Sequence, residues 1–368
     1  MRSTTAEINL ANLIHNYNQM KNTAQGSEIM PVIKADAYGH GSLEVSRAFR
    51  KIGVNLLGVA FADEAVRLRQ SGDTGEIFVL IPNTEHDIDL YCAYNLQASA
   101  EDFEVLKLLS FEAVKRNMKV KTHLFINTGM NRDGIDADNA LEFRKKCEGL
   151  SGVEIIGIMT HLASSELEDR TFANIQLDRF NKVLNQMSAN GFSFKYVHAF
   201  NSGGVLNFYN ESFNIARCGI SMYGYMDYPS MSAKLGLKPV MTIKSKIINI
   251  NKIDVGDNVG YSLKYISDNK RSVAVVPFGY GDGYHRILSG RAECLIRGKR
   301  YRIIGTICMD QCLIDIDNEN FEIGEEVVFL GEQGGDTITA YELSEVMGTI
   351  PYEITTAIKE RVPRVYHY

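Results

Sequence analysis

Between residues 7 and 225, short β-like runs alternate with stretches of helical periodicity, and this alternation limits the fold more than any other feature of the chain. The runs lie at 29–33, 57–60, 77–81, 96–99, 120–126, 153–160, 196–199 and 213–216. Their near-continuous apolar character is that of strands covered on both faces, as in parallel sheets. Between them, apolar residues recur at i, i+3, i+4 and i+7. Leu10, Leu13, Ile14 and Tyr17 form one such stripe; Val45, Ala48, Phe49 and Ile52 form another. A third, Phe180, Val183, Leu184 and Met187, stops at Gly191. Eight strands alternating with helices predict an α/β fold whose N-terminal part is a (β/α)8 TIM-type barrel. An open dinucleotide-binding sheet is disfavoured, since no G-x-G-x-x-G follows the first strand and the glycine-rich run 279–283 has the wrong spacing.

After Tyr225 the texture changes. Residues 227–239 form a polar connection containing Pro, Ser and Gly, which places a boundary near residue 230 and predicts domains at 1–230 and 231–368. A chain of 368 residues exceeds one ordinary core, consistent with that division. Runs at 241–250, 272–278, 293–296, 301–307, 312–316 and 326–330 read as strands, with turns at 255–257 and 297–299 and one helix at 341–347. The second domain is therefore expected to be mostly β. A net charge of −6 argues against nucleic-acid partners, which need a basic surface. No apolar run reaches the roughly 18 residues of a membrane span. The first residues carry no apolar h-region, so the protein is read as cytoplasmic. Cys92, Cys147, Cys218, Cys294, Cys308 and Cys312 are scattered without a zinc-like spacing, so no metal site is expected.

Functional residues of a barrel gather at the C-terminal ends of its strands. Lys34 ends the first run, and Arg132 follows the fifth through Asn127-Thr128-Gly129-Met130. His161 ends the sixth, Asn201 and Ser202 follow the seventh, and Arg217-Cys218-Gly219-Ile220 ends the eighth. A strand-end lysine has two readings: a side chain snorkelling to solvent, or a desolvated amine able to attack aldehydes. Each of the others also has a plain reading, as a surface arginine, a satisfied core histidine or a turn serine. Polar groups from five strand ends converging on one rim instead suggest a binding site.

The string Val32-Ile33-Lys34-Ala35-Asp36-Ala37-Tyr38-Gly39-His40-Gly41 resembles the pyridoxal-phosphate lysine segment of the alanine racemases. The strings at 259–262, 276–284, 307–311 and 361–366 resemble other motifs of that family, so the likeness runs along essentially the full length in the same order. It implies a pyridoxal 5′-phosphate enzyme that interconverts L- and D-alanine by proton transfer between two bases and supplies D-alanine for peptidoglycan. A serine or broad-spectrum racemase is the alternative, because a small apolar pocket discriminates weakly against one hydroxyl. By the same resemblance, Lys34 anchors the cofactor and serves as one base. Tyr261 is the other base, entering from the partner of a homodimer. Ser202, the amides of Gly219 and Ile220, Tyr38 and Tyr352 surround the phosphate, where backbone N–H groups form anion nests. Arg217 faces the pyridine nitrogen and, being always protonated, keeps that nitrogen unprotonated and the ring a weaker electron sink. A hydrogen-bonded chain through His161 and Arg217 lowers the tyrosine base below its ordinary value near 10. Arg132 and the Met309 amide hold the substrate carboxylate.

The chain departs from the family pattern in places. Phe125 stands where many members carry a carbamylated lysine that buttresses the substrate arginine, and Asn127 stands where an aspartate is usual. Cys218 replaces a common proline, and Gly203-Gly204 replace alanines. Two other pyridoxal-phosphate barrels are weighed against the racemase. A non-catalytic carrier lacks a second domain, so residues 231–368 speak against it; a decarboxylase places an acid opposite the ring nitrogen, so Arg217 speaks against that.

Overall fold

A computed structural model of the chain describes residues 3–82 and 84–368. All eight runs become strands of one closed parallel barrel. After β1 (Thr5–Asn9), the barrel strands are β2 (Glu28–Pro31), β3 (Leu56–Val59), β4 (Glu76–Val79), β5 (Ala98–Ala100) and β6 (Val120–Asn127). A two-residue strand, β7 (Ile135–Asp136), hangs on the edge of β6, and the ring continues through β8 (Val153–Met159), β9 (Tyr196–His198) and β10 (Ile215–Cys218). β3–β4, β5–β6, β6–β8, β8–β9 and β10–β2 pair in parallel. Single bridges at Val32–Gly58 and Phe78–Gln97 join β2 to β3 and β4 to β5. The last gap closes where the amides of Asn214 and Arg217 donate to the carbonyls of Val197 (3.1 Å) and Phe200 (2.9 Å). Met30, Leu56, Phe78, Phe125, Met159 and Ile215, each from a different strand, pack together inside the ring. These inward residues explain the uninterrupted apolar runs, since helices cover the outer face of the same strands.

The last run is displaced from its expected position, with β10 starting at Ile215 rather than 213. Phe213 belongs to the outer layer, its ring 5.6 Å from Phe180 and 5.1 Å from Phe200.

The second domain is built on a ten-stranded sheet. Its strands are β11 (Met241–Lys246), β12 (Asn249–Ile253), β13 (Arg271–Val276), β14 (Glu293–Ile296), β15 (Lys299–Ile304), β16 (Cys312–Asp315), β17 (Glu326–Gln333), β18 (Asp336–Ile338) and β19 (Arg364–His367), together with β1. The order is β12-β13-β16-β15-β14-β17-β11-β1-β19, with β18 on β17. Two expectations are corrected here. The run 241–250 is two strands, broken at Ile247 and Ile248. Thr5–Asn9, which a division at residue 230 places with the barrel, is a strand of the second sheet. It pairs antiparallel with β11 and parallel with β19. Its alternating burial, with Ala6 and Ile8 inside and Thr5 and Glu7 partly exposed, suits a sheet with one covered face rather than a barrel strand. No helix among the described residues is long and apolar enough to cross a membrane.

A short helix, Pro351–Thr356, lies outside the predicted elements and starts with proline at its first position. It carries Tyr352 and docks against the loop after β2. Gly39 has φ +84°, and a Cβ on it would lie 2.1 Å from the Thr355 carbonyl oxygen. Arg364 of β19 donates to the Gly39 carbonyl from Nε (3.1 Å) and Nη2 (2.9 Å). Gly39→Ala is therefore expected to lose well over the ~1 kcal/mol that positive φ alone costs a side chain. Gly26→Ala, at φ +104° in open space, should lose only that smaller part. Thermal melts of the two variants check this, and equal losses would contradict the close approach at Gly39.

Candidate active site

Lys34 leaves the end of the β2 segment and enters a left-handed turn. Ala35, Asp36, Ala37 and Tyr38 have φ of +51°, +52°, +56° and +52°. Such backbone costs an L-residue roughly 1–2 kcal/mol each, so neighbouring groups must hold it. The Ala35 amide donates to Glu64 Oε1 at 2.6 Å, and Glu64 Oε2 accepts from Ala60 N at 2.7 Å. Asp36 Oδ1 accepts from the amide (2.8 Å) and hydroxyl (2.9 Å) of Ser42. The turn swings Tyr38 back beneath the end of β10, where its ring lies 5.0 Å from Tyr223 and 6.1 Å from Tyr352. A Cβ on Gly219 would sit 2.3 Å from Tyr38 Oη, so a side chain there would have to displace that hydroxyl. The Lys34 amine is held below the usual lysine range, first by burial and then by the Arg132 guanidinium, with Glu64 opposing.

Arg217 is buried, only 5 % exposed. Nη1 donates to His198 Nδ1 and to the His198 carbonyl, both at 3.0 Å. Nη2 donates to the Thr160 carbonyl at 2.7 Å and to His161 Nδ1 at 2.9 Å, with the Ala199 carbonyl at 3.3 Å. Burial lowers Arg217 to about 10, which leaves it protonated at neutral pH. Burial and the same guanidinium hold His161 well below the usual histidine range. A guanidinium only donates, so His161 Nδ1 is bare and its proton sits on Nε2.

At the opposite end of the site, Ser202 opens the helix Ser202–Asn207, which Asn201 Oδ1 caps by accepting from Gly204 N at 2.9 Å. Ser202 Oγ lies 2.9 Å from Ser221 Oγ. Gly219 precedes the helical turn Ile220–Tyr223, in whose first positions N–H groups lack intrahelical partners. Tyr352 Oη donates to Asp227 Oδ1 at 3.3 Å. Burial raises Asp227 and also Glu166 nearby.

These groups share one cavity of about 390 Å³. Lys34, Tyr38, Arg132, His161, Ser202, Arg217, Gly219, Ile220 and Tyr352 all line it, with apolar wall from Val32, Leu80 and Phe125. Arg132 stands exposed at its edge, Nε donating to Asp133 Oδ2 at 2.9 Å. Tyr261 and Met309 do not line it. They lie on loops of the β domain, 66 % and 52 % exposed. There the Tyr261 carbonyl accepts from Thr306 Oγ1 at 3.1 Å and the Met309 carbonyl from Gly281 N at 2.8 Å. A single chain therefore does not bring them to Lys34. Glu64, Asp227 and His198 were not singled out from the sequence. Glu64 carries a recoverable signal, a glutamate three residues after the residue preceding a helix start; Asp227 reads only as a linker residue.

The chain matches the family descriptions "Alanine racemase, N-terminal domain" over residues 8–227 and "Alanine racemase, C-terminal domain" over residues 240–366. It is 38 % identical over 371 residues to the alanine racemase of Carboxydothermus hydrogenoformans, covering 100 % of both chains. Among solved structures, the alanine racemase of Clostridium difficile 630 superposes with a TM-score of 0.94 at 31 % identity, covering 100 % of this chain and 96 % of that one. The histidine racemase of Leuconostoc mesenteroides shares the fold at 23 % identity, with a TM-score of 0.90 over 100 % of this chain and 98 % of that one. By sequence and fold along its whole length, the chain belongs to the alanine racemase family of pyridoxal-phosphate-dependent isomerases.

Proposed function

We propose that the chain is a cytoplasmic homodimer that interconverts L- and D-alanine with pyridoxal 5′-phosphate seated in the cavity at Lys34. The observation that carries this reading is the pairing, in one cavity, of an amine lowered by burial and a buried, fully protonated arginine. The donor set suits the cofactor's functional groups. Lys34 suits an aldehyde. Ser202, Tyr38, Tyr352 and the amides around Gly219 offer hydroxyl and N–H donors to a phosphate. The missing side chain at Gly219 leaves room for the Tyr38 hydroxyl beside those amides, which supports the reading. Arg217 offers a donor, never an acceptor, to a ring nitrogen.

When bound, the cofactor supplies a conjugated ring that makes the Cα–H of an attached amino acid acidic. The protein's share is to place groups around that carbon. Arg132 and the Met309 amide hold the carboxylate. Lys34 holds or releases a proton on one face of Cα, and Tyr261 of a second copy does so on the other. His161, with its proton on Nε2, can donate to the tyrosine oxygen and stabilise its charged form, because Arg217 occupies Nδ1. Tyr261 sits among exposed Leu263 and Ile266 on the β domain, an apolar surface suited to cover by another copy.

The direct test is chiral analysis of alanine incubated with the purified protein. Wild-type protein should bring either enantiomer to an equal mixture, and Lys34→Ala should do so at a rate lower by orders of magnitude. Undiminished racemisation by Lys34→Ala would overturn the assignment of the anchor. The shared site makes a second prediction. Lys34→Ala and Tyr261→Phe are each expected to be inactive alone. Mixed in equal amounts and allowed to exchange subunits, they should regain about a quarter of wild-type activity, since half the dimers then carry one intact site. No recovery after demonstrated exchange would mean that each site is complete within one chain.

A further inference from the structure

Beneath Arg217, the barrel interior holds a polar chain with no part in the reaction as proposed. His198 Nε2 lies 2.8 Å from His123 Nδ1, and His123 Nε2 lies 3.0 Å from Gln97 Oε1. Both histidines are fully buried and Gln97 nearly so. We infer that His123 is a positioning residue: by accepting from the Nε2–H that Arg217 imposes on His198, it holds that tautomer and ring in place behind the guanidinium. The link to catalysis rests on the proposed placement of Arg217 against the cofactor ring, whereas the tautomer assignment does not.

The proton positions follow from the donor direction at Arg217. Its Nη1 can only donate, so His198 Nδ1 accepts and the His198 proton is on Nε2. His198 therefore donates to His123 Nδ1, which must be bare, and His123 donates from Nε2 to the Gln97 carbonyl oxygen. Reversing His198 would set two donors against each other and leave a buried N–H unpaired, at about 1–3 kcal/mol. Both rings stay neutral, since burial and the Arg217 charge hold His123 at about 3 and His198 well below its usual range.

The backbone is shaped to put His123 there. Between β6 and β8 the register passes from Thr122 opposite Ile155 to His123 opposite Gly157, a shift at the histidine itself. A bulge re-aims a side chain in this way. Gly157 provides the room: a Cβ would lie 2.2 Å from His123 Nδ1. Phe78 and Tyr196 stack on the imidazole at 4.2 and 5.6 Å, fixing its plane. With His198 set, both Nη atoms of Arg217 are committed to protein acceptors. Among the described residues the Nε–H is the guanidinium donor not committed to a protein acceptor, and Arg217 lines the cavity. His123 thus supports, at two removes, a guanidinium orientation that the carbonyls of Thr160, His198 and Ala199 and His161 Nδ1 also hold.

Nitrogen NMR of histidine-labelled holoenzyme tests the assignment, together with two variants at position 123. In wild type, His123 and His198 should both read as neutral rings protonated on Nε2. His198 protonated on Nδ1, or charged at neutral pH, would overturn the proposal whether or not any variant folds. His123→Leu removes the acceptor and should let His198 populate the Nδ1–H form. The absorbance of the bound cofactor should shift, and kcat should fall about tenfold or more with little change in KM for alanine. His123→Asn keeps an acceptor oxygen and should retain the His198 tautomer and most of kcat. A folded His123→Leu with unchanged absorbance and kcat, or a His123→Asn as impaired as His123→Leu, would also overturn it. If the protein took up no cofactor, the proposed function would fail while the tautomer reading stood, so the two failures are distinguishable.

Discussion

A guanidinium enclosed in a barrel, with no carboxylate partner among the described residues, sets the terms for everything around it. Burying a charge is tolerated only when its donors are satisfied. Arg217 meets that condition with carbonyls of Thr160, His198 and Ala199, and with two imidazole nitrogens. Neutral acceptors leave the positive charge uncancelled. Burial and that charge keep His161 and His198 from protonating, and with Arg132 the charge makes the cavity attractive to anions. A phosphate and an amino-acid carboxylate are ligands of that kind. A carboxylate in place of either histidine would remove this field.

The second constraint is the left-handed turn after Lys34. Four consecutive L-residues at positive φ persist only because groups distant in sequence over-determine them. Glu64 holds the first amide, Ser42 engages Asp36, and Arg364 from the last strand grips the Gly39 carbonyl. The same turn delivers Tyr38 to Gly219 and presents Gly39 to the helix that carries Tyr352. The barrel and β domain are thereby clamped at the active site, and β1, threaded into the second sheet, joins them again at the chain's start. Tyr38 and Tyr352, proposed to face the phosphate, are positioned by contacts between domains as much as by either domain's own core.

The barrel was legible because a strand covered on both faces must be apolar throughout, and all eight runs had that texture. Phe213 misled by two residues, since an aromatic facing the outer helices has the same character as one facing inward. β1 escaped because alternation over five residues is a weak signal, and its partners lie more than two hundred residues away. The strand-end rule pointed to Lys34, His161, Ser202 and Arg217, which line the cavity; the family resemblance added Tyr38 and Tyr352, which also line it and whose approach depends on chain reversals. Nothing in Ala35-Asp36-Ala37-Tyr38 announces positive φ, which glycine or asparagine would have signalled. His123 and Gly157 look like ordinary strand residues until the register between β6 and β8 is known. Tyr261 and Met309 remain apart from the cavity in one chain, and the roles proposed for them require a second copy.

The account depends above all on covalent attachment of the cofactor to Lys34. Reduction of the purified protein with borohydride, followed by proteolysis and mass spectrometry, tests this directly. The prediction is one equivalent of pyridoxyl group per chain, fixed to Nζ of Lys34, with simultaneous loss of racemisation. A label on another lysine, or no label in protein that still racemises alanine, would contradict it.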